Sequence, residues 1–156
     1  MALEVERKFL LPEIPEWLAG HPRRQIEQGY LATAGGTEVR LRKVDGQLYL
    51  TVKVGHGEVR DEVEVAIDES QFERLWPLTE ALRVRKTRFL VPVGGLSAEV
   101  DVFEGHLQGL VTAEIEFPGE LQSHAFEPPA WLGEEVTGDG RYANQALARA
   151  RPGEPA

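Results

Sequence analysis

The side chains best equipped for chemistry in this sequence are charged residues that recur two positions apart along extended stretches. Glu4, Glu6 and Lys8 come first, followed by Arg40 and Arg42, Lys53, Glu62 and Glu64, Lys86 and Arg88, Asp101, and Glu114 and Glu116. In a strand alternate side chains share a face, so each set projects as one row. Neighbouring carboxylates with no cation between them suit a hard divalent ion, which takes several oxygen ligands at once. Arginines at the same spacing, with lysines nearby, suit phosphate oxygens, because the guanidinium fork matches their geometry. The competing explanation is a solvated sheet face, where charged and apolar residues also alternate. Sign separates the two. Three strands carry Glu-x-Glu and three carry only cations, whereas a solubilising face mixes its charges. Seven acidic groups against six basic ones leave −1, and a triphosphate of about −4 to −5 with two Mg²⁺ would nearly neutralise itself among them. The rows are therefore expected to face inward onto a water-filled cavity, with the apolar residues between them packing outward under helices.

The elements that must position these rows follow from periodicity and turn residues. Strands are expected at residues 3–10, 25–33, 37–44, 47–54, 58–67, 82–93, 96–103 and 110–118. Asp45-Gly46 is the strongest hairpin signal, and Gly35-Gly36, Gly55-His56-Gly57, Gly94-Gly95 and the run 105–109 mark further turns. Residues 12–24, with three prolines, read as a loop containing a short helical turn. Asp68 caps a helix with Gln71 as its reciprocal partner, and Phe72, Leu75, Trp76 and Leu78 supply the apolar stripe despite Pro77. The C-terminal part reads as helix or loop over 120–126, a break at Pro128-Pro129, and a helix over 141–150 behind Asp139. Such short connections imply antiparallel pairing, and eight strands can close around a small ligand. The expected fold is mainly β (α+β): an eight-stranded antiparallel closed tunnel with a charged interior, a few flanking helices and a C-terminal helix. One domain is expected over 1–150, with 151–156 as a disordered tail.

Composition narrows the classes of function. The 156 residues include no cysteine, which excludes disulfides and thiolate metal sites. No apolar run reaches the ~20 residues a membrane span needs, and the first residues show no signal sequence, so a cytoplasmic protein without membrane association is expected. A net charge of −9 argues against nucleic-acid binding. The four histidines lack metal-ligand spacing, and no Gly-x-x-x-x-Gly-Lys-Ser/Thr or Gly-x-Ser-x-Gly motif occurs. Trp17, Trp76 and Trp131 read as packing residues, and Asp139 and Arg141 as structural ones.

Taken together, the rows resemble the CYTH superfamily, the triphosphate tunnel metalloenzymes. Glu4-Val5-Glu6-Arg7-Lys8 matches the family's Glu-x-Glu-x-Lys signature, and the later pieces follow in family order to Glu114-x-Glu116. The segment from Glu135 to Asn144 is also similar to one that follows the last strand in bacterial members. The resemblance spans essentially the whole chain, and is closest to short bacterial members that resemble inorganic tripolyphosphatases. It implies a small-molecule triphosphate substrate, a Mg²⁺ or Mn²⁺ cofactor of two ions, and a monomer or homodimer. In such members a tyrosine in a Gln-Gly-Tyr-Leu stretch works with the signature lysine, and Gln28-Gly29-Tyr30-Leu31 matches it. The implied roles are catalysis for Lys8 and Tyr30, with Lys8 near Tyr30 and packed among cations. Phosphate binding falls to Arg40, Arg42, Lys53, Lys86 and Arg88. Metal binding falls to Glu4, Glu6, Glu114 and Glu116, with Glu62, Glu64 and Asp101 as further ligands or as acceptors that orient them. The same tunnel also serves class IV adenylyl cyclases and thiamine triphosphatases. A non-catalytic polyphosphate- or nucleotide-binding module is the reading outside enzymes.

Overall fold

The computed structural model describes residues 2–56 and 59–150. The start of the expected fifth strand, part of its turn, and the tail 151–156 lie outside the described residues. Eight strands, β1 (Ala2–Leu10), β2 (Arg23–Ala34), β3 (Thr37–Val44), β4 (Gln47–His56), β5 (Val59–Ala66), β6 (Arg83–Val93), β7 (Leu96–Phe103) and β8 (Val111–Phe117), close into a barrel. Its order is β1-β5-β4-β3-β2-β6-β7-β8, antiparallel throughout. Asp45 and Gly46 both take positive φ, 48° and 87°, the conformation that a two-residue turn between twisted strands demands. Among the described residues no helix is long and apolar enough to cross a membrane.

β1 divides its partners. Its first half pairs with β5, from Ala2 opposite Glu62 to Val5 opposite Val59. From Val5 to Leu10 it pairs with β8 on its other side. The edge left open beside Lys8 and Leu10 is filled by the chain at 133–137. There Gly133 and Val136 donate to the carbonyls of Leu10 and Lys8, and Leu10 donates to the carbonyl of Glu134. Backbone donors rarely stay unpaired when buried, and this segment satisfies them. It then crosses the end of the barrel to α3 (Asn144–Arg149).

The core lies outside the barrel wall. Val5, Phe9, Phe89, Val91, Val100, Ile115 and Phe117 point outward and pack on Leu11, Leu18 and Leu132. A second cluster of Tyr30, Val84, Phe103 and Leu107 closes one end of the barrel against Leu147 and Ala148 of α3. α1 (Glu69–Leu75) begins with the expected reciprocal cap between Asp68 and Gln71. The apolar stripe does not extend to Leu78, which is 69% exposed. The chain tightens into a 3-10 turn over Trp76–Thr79, with Pro77 at its start where no N–H is needed, and Thr79 takes the inward place. Thr79 packs so closely on β2 that a Cβ at Gly29 would lie 2.4 Å from its Oγ1. The expected outward burial also fails on β4 and β5, where Val54, Val63 and Val65 stay about half exposed. The seven-residue α1 is too short to cover them.

Candidate functional site

The inner faces carry the charged rows. Period-2 alternation turns Glu4, Glu6 and Lys8 inward while Val5 and Phe9 join the outer core. A cavity of about 190 Å³ runs inside the barrel, lined by Glu4, Glu6, Arg40, Arg42, Lys53, Glu62, Glu64, Arg88, Glu114 and Glu116. Gln28, Glu99 and Asn144 complete its wall, so every lining side chain is polar or charged. One end is sealed by α3 and its apolar cluster. Toward the other end exposure rises, the Glu64 and Glu99 side chains reaching 36% and 38%.

In the free protein these charges neutralise one another. Lys53 lies 3.3 Å from Glu4 and 3.7 Å from Glu62. Arg40 reaches Glu38 and Glu62, Arg42 reaches Glu64, and Arg60 lies 3.2 Å from Glu6 and 3.7 Å from Glu38. Glu38 and Arg60 continue the rows of Arg40 and Glu62 on the same inner faces, so those two rows mix signs after all. Deepest in the wall, Asp101 takes a two-pronged hydrogen bond from Arg88, at 2.8 and 2.9 Å. Lys86 sits 2.8 Å from the same carboxylate. Burial pushes the Lys86 amine down to about 7 even beside Asp101. Asp101 stays below its usual range, burial being outweighed by Arg88 and Lys86.

The carboxylates on the opposite wall are crowded. Burial and a hydrogen bond shared with Glu62 push Glu4 up to about 8. Burial and the neighbouring Glu114 push Glu6 up to about 7. Glu114 itself is held well below its usual range, since Lys8, Arg88, Lys53 and Lys86 together overcome its burial. Glu116 is raised by burial and by Glu99. Each of the two pairs, Glu4 with Glu62 and Glu6 with Glu114, thus keeps a proton near neutral pH where a cation would serve as well. Carboxylates gathered in this way are of the kind that a hard divalent cation takes as ligands. Among the described residues no three acidic or histidine side chains form a ready-made cage.

Four of the expected site residues stand apart from the cavity lining. Lys86 and Asp101 lie in the wall, fully buried. Lys8 borders a smaller chamber of about 140 Å³ behind Glu6 and Glu114, closed by the crossing segment. Its amine donates to the Tyr142 carbonyl at 2.5 Å and lies 3.4 Å from Glu114, so its direct partners are acceptors, with Arg60 elsewhere on the wall of the same chamber. Tyr30 is sealed in the apolar end cluster with its hydroxyl 3.5 Å from Arg40, and burial raises that hydroxyl to about 12. Lys8 and Tyr30 are carried by β1 and β2, four places apart in the eight-strand circuit, and each has its own partners. Asp139 caps the 3-10 turn Gly140–Tyr142 and pairs with the exposed Arg141, the structural role expected of both.

Known proteins place this geometry. A chain 48% identical over 153 residues, covering 96% of this sequence and 99% of the relative, is the inorganic triphosphatase of Nitrosomonas europaea. A second, the inorganic triphosphatase of Acetivibrio thermocellus, is 35% identical over 158 residues, covering 96% of this chain and 95% of the relative. A crystal structure of an inorganic triphosphatase superposes with a TM-score of 0.74 at 44% identity, over 98% of this chain and 99% of that one. A model of the CYTH domain matches residues 2–146, and with the closed barrel and its inward charged rows the chain belongs to the CYTH family.

Proposed function

We propose that this protein hydrolyses inorganic tripolyphosphate, or a closely related triphosphate, inside the barrel with Mg²⁺ or Mn²⁺ as cofactor. The observation that carries the reading is the group of buried, unpartnered donors along one side of the cavity. Gln28 Nε2, Arg40 Nε and Arg42 Nε, donors on β2 and β3 that line the cavity, are buried without hydrogen-bond partners, as is Arg60 Nε on β5, while Glu4 Oε2 on β1 has only the Lys53 amine 3.3 Å away. A polyphosphate offers only acceptors, which these donors lack, and a divalent cation would answer Glu4 and the carboxylates beside it. The two relatives above, both inorganic triphosphatases, support the same substrate.

Glu4, Glu6, Glu62 and Glu114 would hold two divalent ions, with Glu64 and Glu116 toward the mouth as further ligands. Bound there, such ions neutralise the phosphates and make water a better nucleophile. Arg40, Arg42, Lys53 and Arg88 hold the phosphate oxygens, and positioning with charge neutralisation accounts for most of such a reaction. Lys86 adds positive charge from within the wall, and Asp101 acts by fixing Arg88 and Lys86. Lys8 donates between Glu114 and the Tyr142 carbonyl and so orients groups at the back of the cavity. Tyr30 keeps its proton and steadies Arg40. Attack of water on a terminal phosphorus forms a new P–O bond and orthophosphate as one P–O–P bridge breaks. Pyrophosphate leaves with the bridging oxygen, and the proton of the water passes to the products or to solvent.

The test is incubation with Mg²⁺ and either tripolyphosphate, ATP or thiamine triphosphate, followed by product identification. Orthophosphate plus pyrophosphate from tripolyphosphate is the expected result. Cyclic AMP from ATP, or tight binding without product, would replace the reading with a cyclase or a binding module. For individual residues, Glu4→Gln with full activity at limiting Mg²⁺ removes the metal assignment. Unchanged turnover in both Lys8→Ala and Tyr30→Phe removes any catalytic part for that pair.

A further inference from the structure

Gln28 is neutral, and the charged rows do not need it, yet it sits in the tunnel wall with its side chain aimed into the cavity. It is 1% exposed, and its Nε2 has no hydrogen-bond partner. Buried amides are almost always paired, so an orphan in a folded protein asks for a reason. The backbone after it is held in place. Gly29 is pressed against Thr79, and Tyr30 is wedged in the apolar end cluster. Across the ladder Gln28 faces Arg42 on one side and Val84 on the other. The nearest orphans, Arg40 Nε and Arg42 Nε, are donors on the adjacent strand.

We infer that Gln28 is a substrate-contacting residue whose amide donates to a non-bridging phosphate oxygen beside Arg40 and Arg42. The inference rests on the triphosphatase reading and extends it. Its neutrality matters: the arginines supply attraction, and a short fixed amide supplies direction, so only a chain seated in one register satisfies it. A purely structural glutamine would leave the free protein less stable when removed. An amide kept unpaired for a ligand behaves the other way, because an apolar side chain of similar length relieves an unmet donor.

The experiment is steady-state hydrolysis of tripolyphosphate at saturating Mg²⁺ for the wild type, Gln28→Met and Gln28→Glu, with thermal melting of each free protein. The expected result for Gln28→Met is a KM raised about 10- to 100-fold, the worth of a hydrogen bond to a charged group. Its kcat is little changed, and its melting temperature equals or exceeds that of the wild type. Gln28→Glu, which sets a carboxylate against the phosphate, raises KM further. A Gln28→Met enzyme with a wild-type KM overturns the inference while leaving the triphosphatase reading intact. So does one that loses kcat alone, or one that melts several degrees lower. A wild type with no turnover of tripolyphosphate overturns the function itself, and this inference with it.

Discussion

Replacing Asp101 by asparagine separates two jobs that the same carboxylate could do. It lies at 1% exposure between Arg88, 2.8 and 2.9 Å away through two nitrogens, and Lys86 at 2.8 Å. Asparagine keeps the shape and removes the charge, which leaves buried Lys86 without its carboxylate and buried Arg88 with only the part-exposed Glu99, 3.1 Å away. Breaking a buried pair in this way costs about 3–5 kcal/mol. Lys86, already pushed down to about 7, can escape by giving up its proton, whereas Arg88 cannot. The loss should therefore sit at the lower end, roughly 3 kcal/mol, which for a chain of this size lowers the melting temperature by about 6–12 °C. Differential scanning calorimetry in EDTA at pH 7.5 reads this directly. Hydrolysis measured over a Mg²⁺ titration then shows a lower kcat/KM with an unchanged half-saturating Mg²⁺ concentration, since the damage is to phosphate binding. A melting temperature within about 2 °C of wild type, under the ~1 kcal/mol such a shift represents, refutes the reasoning. If half-saturating Mg²⁺ also rises tenfold or more, Asp101 is a metal ligand and the account of Arg88 and Lys86 is wrong.

The crowded acids make the metal-free protein sensitive to pH. Glu4 and Glu6 are raised above 4.5 to about 8 and about 7, so the folded chain holds protons that the unfolded chain has released, and stability falls as pH rises from about 5 to about 8. Lys86 acts oppositely, its lowered value making stability recover from about 7 upward. Melting curves in EDTA should pass through a minimum near pH 7–8, and added Mg²⁺ should stabilise more at pH 8 than at pH 5; a pH-independent gain from Mg²⁺ contradicts this. Gly29→Ala drives a methyl into Thr79, 2.4 Å from its Oγ1; overpacking of about 1–3 kcal/mol should lower the melting temperature by about 2–12 °C. Glu135→Gln weakens the anchor at Arg7, where Glu135 Oε1 lies 2.6 Å away. The Glu135 side chain is 37% exposed, so less than about 1 kcal/mol should be lost. Limited proteolysis should meanwhile begin to cut the crossing segment near Gly138 and Gly140, and an uncut segment would show that the ion pair does not hold it.

Alternation made the barrel readable, because a polar interior and an apolar exterior force strict period-2 rows along every strand. All eight strands were visible, as was the cap at Asp68. The circuit itself was less so: local alternation does not say that β1 splits between β5 and β8, and so nothing in the sequence set Lys8 and Tyr30 four strands apart. The chain between Ala125 and Asn144 carries no periodicity, and its place along β1 is set by backbone hydrogen bonds, by the Arg7–Glu135 pair and by the bond from the Lys8 N–H to Thr137 Oγ1, contacts whose partners lie more than a hundred residues apart. Gln28 and Asn144 stand in the sequence only as parts of matching stretches, with no role of their own, since a neutral amide in a strand or helix looks like any surface residue. The most instructive gap is Glu38 and Arg60. Sorting rows by sign picked out Arg40 with Arg42 and Glu62 with Glu64, and it stopped where the sign changed. Rows of one sign would still pair Lys53 with Glu4 and Glu62, and Arg42 with Glu64, but Arg40 would keep only one carboxylate, Glu62 at 4.0 Å, and Glu6 would lose the Arg60 guanidinium beside it. Glu38 bridges Arg40 and Arg60, and Arg60 reaches across to Glu6. The residues that break the sign pattern are the ones that let the free protein hold its binding groups in place before the substrate arrives.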